Sequence, residues 1–346
     1  MKHLMIMKPV AWIVLLTLFF ALLCASFFLG FSPILPLFAT LGAAGIVLLL
    51  DAPLLLLCFL FIVRMSLDYS SQFYAFTILD YTVSLSQLLG GAIAILGLFL
   101  FVVYKRDLAR FPLIFPMGLL FLWGIATATY SIAPGRTIAE ILRYFDLFVL
   151  AFFAFIAVRD TADFKRLLQA ILFSSIVPIL FAVYQFAFSL GFQDADVSLP
   201  RIFGTFSHPN VFSLYLFSVI VFATLYAVVF AHTSREKTIL GILLLALAIT
   251  LFLTFARVAW VALFIFGFLL AIVRYRLFLF PLLLIPFILF VFSPAFQSRV
   301  QETLSPDPDS SIVWRETLWH DVSTKSIQDG RYLLGNGLDT FPVVSE

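Results

Sequence analysis

What most constrains this chain is a succession of apolar runs, each near the ~20 residues a helix needs to cross bilayer hydrocarbon. The short stretches between them hold most of the charge. A soluble core cannot bury so many continuous runs, so the pattern describes an all-α, polytopic transmembrane bundle. The composition, 63% hydrophobic and only 12% charged, excludes a soluble enzyme and gives no basic surface for nucleic acid. The partner it requires is the lipid bilayer.

Hydropathy predicts about 11 spans, near residues 10–31, 34–50, 52–66, 84–104, 111–130, 138–158, 166–190, 210–231, 238–256, 258–273 and 277–292. The second and third, parted only by Asp51–Pro53, read as a tight hairpin. The run from Val10 to Phe31 is longer than the roughly 7–15 residues of a signal-peptide core and lacks a small-x-small cleavage site, so it reads as the first span. Lysine and arginine gather in alternate loops: Lys2 and Lys8, Lys105 to Arg110, Arg159 to Arg166, Arg235 and Lys237, Arg274 and Arg276. The positive-inside rule makes these loops, and the N-terminus, cytoplasmic. Pro200–Asn210, Arg257 and everything after Ser293 then fall outside. Two parts result, a bundle over 1–292 and an external helical segment over 293–346, expected to be the start of a larger extracytoplasmic loop that is incomplete at Glu346.

The densest polar cluster is PRIFGTFSHPNVFSLY, Pro200–Tyr215. Pro209 suits the first turn of a helix, where its missing N–H is not needed, and Gly204 permits a left-handed turn or a close approach in the loop before it. Arg201 and His208 beside a helix N-terminus favour an anion. The competing reading has His208 and Asn210 capping the helix while Arg201 snorkels to lipid headgroups. Arg257, in LTFARVAWVAL, has no other charge nearby. It either snorkels or meets a cavity or an anionic ligand. Because Arg201 and Arg257 fall at the same expected depth and side, together they could clamp a diphosphate.

Other charges point to structure. Glu140, Arg143 and Asp146 share a helical face and are expected to pair with one another. SPDPDSS reads as a solvated turn, and SIVWRETLWHDVSTKSIQ as an interfacial helix anchored by Trp314 and Trp319. His320 and Asp321 read as a solvated face. GNG at Gly335–Gly337 follows no strand and precedes no Lys-Ser/Thr, so it reads as a tight turn. Cys24 and Cys58 lie in apolar runs without metal-ligand spacing, and no metal or cofactor is expected.

RIFGTFSHPNVFSLYL resembles the R-x-x-G-T-F-x-H-P-N signature of the O-antigen ligase and O-antigen polymerase superfamily of bacterial membrane glycosyltransferases. LTFARVAWVAL, WRETLW and LLGNGLDTF resemble, in order, its T-x-S-R-x-A-W, R-x-x-x-W and G-x-G-x-x-x-F segments, with Ala256 where serine is usual. The resemblance covers about Pro200–Phe341. It implies a multi-pass protein of the bacterial inner membrane that transfers a glycan from undecaprenyl diphosphate to a lipid or glycan acceptor hydroxyl, without metal. It further implies that Arg201, Gly204, His208, Asn210, Arg257 and Arg315 contact substrate, with the two arginines Arg201 and Arg257 holding the diphosphate. The catalytic residue it implies is a histidine downstream of the G-x-G segment, expected beyond Glu346. Ligase and polymerase are not separated by these motifs. A transporter or flippase is the alternative of another class, although its polar residues should gather near the bilayer midplane rather than at one end of the helices. An inactive fragment is a further alternative.

Overall fold

The computed structural model describes residues 52–67, 74–78, 81–192, 200–273, 294–304, 311–331 and 334–341, with positions 45, 48, 49, 284, 287, 288 and 290–292. The expected spans 10–31, 34–50 and 277–292 lie wholly or largely outside these residues, as do Asp68, the SPDPDS turn and the loops at Lys2, Lys8, Arg274 and Arg276.

Among the described residues the regular structure is helical apart from one hairpin. In order come α1 (Pro53–Ser66), β1 (Tyr74–Ile78), β2 (Tyr81–Ser84), α2 (Leu85–Val103), the short α3 (Lys105–Leu108), α4 (Ile114–Tyr130), α5 (Pro134–Ala157) and α6 (Thr161–Ser174). They are followed by α7 (Ile176–Ala187), α8 (Pro209–Val229), α9 (Ser234–Leu253), α10 (Arg257–Val273), α11 (Pro294–Leu304) and α12 (Ser311–Gln328). Among the described residues four segments are long and apolar enough to cross a membrane: Ser86–Val103, Thr161–Ala187, Pro209–Val229 and Ser234–Leu253. Pro53–Ser66, Ile114–Tyr130 and Arg257–Val273 are shorter apolar helices. Exposure agrees with a lipid-facing surface, since the apolar side chains Ile95, Val102 and Val273 stand 71%, 76% and 80% exposed.

Two details depart from the expected all-helical pattern. The loop between α1 and α2 contains an antiparallel pair, Ile78 opposite Tyr81 and Thr77 opposite Thr82, formed by aromatic and β-branched residues that suit a pleated strand. The run expected over 166–190 is broken at Ser175 into α6 and α7. Pro178 explains the break: it cannot donate back to Ser174, and its ring collides with that carbonyl in a continuous helix.

Helix starts follow local chemistry. Ser84 and Gln87 form a capping box that opens α2, with the Gln87 amide donating to Ser84 Oγ at 3.2 Å and Ser84 N donating to Gln87 Oε1 at 2.9 Å. Thr233 and Glu236 do the same for α9. Asp160 caps α6. Two cores result. One joins α1, α2 and α5 through Leu57, Ile93, Phe152 and Phe153, and α2 sits so close to α5 that a Cβ on Gly97 would collide with Val149. The other centres on α8 and packs Phe212, Leu216, Val219 and Ala223 against α6, α9 and α10.

Candidate functional site

The loop between α7 and α8 is held on three sides. Gln185 of α7, only 2% exposed, accepts from Phe203 N at 3.0 Å and Gly204 N at 2.8 Å through Oε1, and donates through Nε2 to the Gly204 carbonyl at 3.2 Å. Thr205 Oγ1 donates to the Met65 carbonyl near the end of α1 at 2.8 Å. Arg201 and Phe192 exchange both main-chain hydrogen bonds, at 2.9 and 2.7 Å. Gly204 has φ +56°, and a Cβ there would meet the Phe212 ring at 2.8 Å and the Pro178 carbonyl at 2.9 Å. Only glycine fits both the dihedral and the space.

Arg201 is 6% exposed, so it does not snorkel. Its Nε donates to the Thr254 carbonyl at 2.9 Å and its Nη2 to Asn210 Oδ1 at 2.8 Å. The first bond ties the loop to the corner between α9 and α10; the second ties it to the first turn of α8. Asn210 is therefore a partner of Arg201 rather than a cap. His208 is the cap, with Nδ1 accepting from Asn210 N at 3.1 Å, and its ring lies 5.3 Å from that of Phe192.

Arg257 opens α10 three residues after Thr254. The corner between them carries two local costs. Phe255 has φ +51°, a left-handed conformation that a bulky side chain rarely adopts. Trp260, one turn after Arg257, has a buried Nε1 that is the only buried side-chain polar atom without a hydrogen-bond partner among the described residues. Its ring stacks on Phe296 of α11, with centroids 4.7 Å apart, and contacts Phe252 and Phe255 at 5.8 and 6.2 Å.

The G-x-G segment docks elsewhere, on the corner between α4 and α5. Asn336 O accepts from Ile132 N at 3.1 Å, Leu338 O accepts from Thr137 Oγ1 at 3.0 Å, and Leu334 O accepts from Tyr130 Oη at 2.8 Å. Arg331 Nη1 donates to the Tyr130 carbonyl at 3.1 Å, while Asn336 Nδ2 donates to Ser326 Oγ of α12 at 2.8 Å. Gly337, at φ +110°, lies against Ser131 and Thr137, where any Cβ would collide with both hydroxyls. The expected tight turn is thus a docked clamp on the corner between α4 and α5.

The remaining expected residues fall apart from this cluster. Arg315 is exposed on α12, and among the described residues no hydrogen bond joins it to Arg201 or Arg257. Arg143 pairs with Glu140 at 2.6 Å as expected, but Asp146 does not join them. Its carboxylate faces α2, where a Cβ on Gly90 would meet Oδ2 at 2.9 Å, and lies in the field of Arg64 of α1. Helical spacing allowed both arrangements; the neighbouring helices decide between them. His320 and Asp321 stand exposed with 3.5 Å between Nδ1 and Oδ1. Among the described residues no group of three or more His, Cys, Asp or Glu could hold a metal. Sequence reasoning passed over Gln185 and Trp260. A glutamine inside the apolar run of α7 was the available signal for the first; for the second it was its place at the end of the T-x-S-R-x-A-W-like segment, although the missing indole partner shows only once the helices pack. No family model, curated protein or solved structure matches the chain.

Proposed function

We propose that the chain is a membrane glycosyltransferase of the O-antigen ligase type that takes a glycan from undecaprenyl diphosphate on the outer face of the bacterial inner membrane. The observation that carries the reading is the Arg201–Thr254 bond. It brings a buried guanidinium to the corner from which Arg257 starts the next helix, so two fixed cations share one end of the bundle.

Eleven spans with a cytoplasmic N-terminus are part of the proposal. Thr205 meets Met65, Arg201 meets Thr254, and Leu334–Leu338 meets Tyr130–Thr137, which fits a single outer end for these segments. Lys165 lies over the Tyr226 ring at 5.7 Å at the opposite, lysine- and arginine-rich end. Phe296 stacks on Trp260 in the first turn of α10, a contact that supports a return of the chain to that end after Val273. The apolar run 277–292 supplies the crossing.

In the reaction an acceptor hydroxyl attacks the anomeric carbon. A bond forms from that oxygen to the sugar, the bond from the sugar to the diphosphate breaks, and the lipid diphosphate leaves with the electron pair. The hydroxyl proton passes to a base. Arg201 and Arg257 stabilise the charge that develops on the leaving group. His320, exposed on α12 and upstream of Gly335, is not assigned as the base. A polymerase using a second lipid-linked glycan as acceptor shares every one of these steps.

The test is binding and turnover in membranes. The chain in nanodiscs should bind polyprenyl diphosphate, and Arg201→Lys and Arg257→Lys should each weaken binding, because a point charge does not reproduce the planar fork. In a version that also carries the expected histidine base, loss of lipid-linked glycan should proceed in the presence of chelator. Unchanged binding by both variants, or a strict need for divalent metal, overturns the proposal. Movement of intact lipid-linked glycan across the bilayer without its consumption would favour a flippase.

A further inference from the structure

We infer that Trp260 is a ligand-binding residue, whose indole N–H donates to a diphosphate oxygen at the corner formed by Arg201, Thr254 and Arg257. The inference rests on the reading just given and adds a third donor to the two guanidinium groups.

Three observations support it. A buried N–H without a partner is a destabilising feature that folded proteins rarely keep, and here it belongs to Trp260 alone among the described side chains. It sits one helical turn after Arg257, so the two side chains project from neighbouring positions on one face of α10. The same corner holds Phe255 at φ +51°, and local costs of this kind gather where a ligand later repays them. The first cost is directional, because indole only donates. What completes Trp260 must be an acceptor, and an anionic oxygen is the acceptor that two adjacent arginines also favour. Phe296 stacks on the face of the indole, whereas the N–H donates in the plane of the ring.

The experiment uses the full chain in nanodiscs with two probes, farnesyl diphosphate and inorganic diphosphate. Trp260→Phe keeps an aromatic ring against Phe296 but removes the donor. It should bind farnesyl diphosphate about tenfold more weakly, the loss expected for one hydrogen bond to a charged group. Its thermal midpoint should be equal to or above that of the wild type, because an unsatisfied buried donor has gone. Benzothienylalanine at position 260, an isostere whose sulfur cannot donate, should reproduce the weaker binding without changing ring shape. Weaker binding of both probes places the contact on the diphosphate itself; weaker binding of farnesyl diphosphate alone, with inorganic diphosphate bound as in the wild type, shows a prenyl-chain effect and overturns the assignment. Wild-type affinity in both variants also overturns it while leaving the glycosyltransferase reading intact. If the wild-type chain binds neither probe, that reading falls and this inference with it.

Discussion

Arg201 donates through Nε to the main-chain carbonyl of Thr254, fifty-three positions later in the chain, at 2.9 Å. A planar guanidinium makes this bond while Nη2 reaches Asn210 at 2.8 Å. One buried side chain therefore fastens the polar loop to both α8 and the α9–α10 corner.

Arg201→Lys should lower stability by about 2 kcal/mol, since an ammonium cannot hold both acceptors in that geometry and the carbonyl of Thr254 is left short of a donor. Thermal unfolding in nanodiscs reads the effect. A shift no larger than that of the exposed Arg143→Lys would show that the fork does not organise the loop.

Gln185→Leu should cost about 2–5 kcal/mol, because Phe203 N and Gly204 N both lose their acceptor. Gln169→Leu is the control. It removes a single bond to Tyr226 Oη at 2.9 Å and should cost about 1 kcal/mol. Equal losses in the two variants would count against Gln185 as the anchor of the loop.

Ile132→Cys with Asn336→Cys should form a disulfide under mild oxidation, since Ile132 N donates to Asn336 O at 3.1 Å. Adding Gly337→Ala should reduce the yield severalfold, because the new methyl collides with Ser131 and with Thr137 Oγ1. A yield unaffected by that substitution would mean that the segment does not dock as a clamp.

Cysteines introduced at Asp194 and Arg235, in a chain with Cys24 and Cys58 replaced by serine, should react with an impermeant reagent from opposite sides of the membrane. Reaction of both from one side would overturn the topology.

Trp314 and Trp319, 61% and 66% exposed on α12, should be quenched more by lipids labelled near the headgroup than by lipids labelled near the chain end. The reporter carries Trp12→Phe, Trp123→Phe and Trp260→Phe. Absence of quenching by either lipid would place this helix away from the bilayer.

The apolar runs by themselves determined that the chain is a helical membrane bundle. Bilayer thickness and the need to satisfy every main-chain polar group leave few other solutions. Local chemistry was partly legible: Pro209 at the first turn of α8 follows from the residues alone, whereas His208 as cap and Gly204 in a left-handed turn were each one of two readings the residues left open. Tertiary structure decided which polar groups meet. Arg201 finds Thr254, Asp146 turns toward α2 rather than to Arg143, and the Gly335–Gly337 turn settles on Tyr130–Thr137. The physical reason is range. Caps and turns act within about four residues, so spacing encodes them. Hydrogen bonds across fifty or two hundred positions exist only once helix packing has brought their ends together.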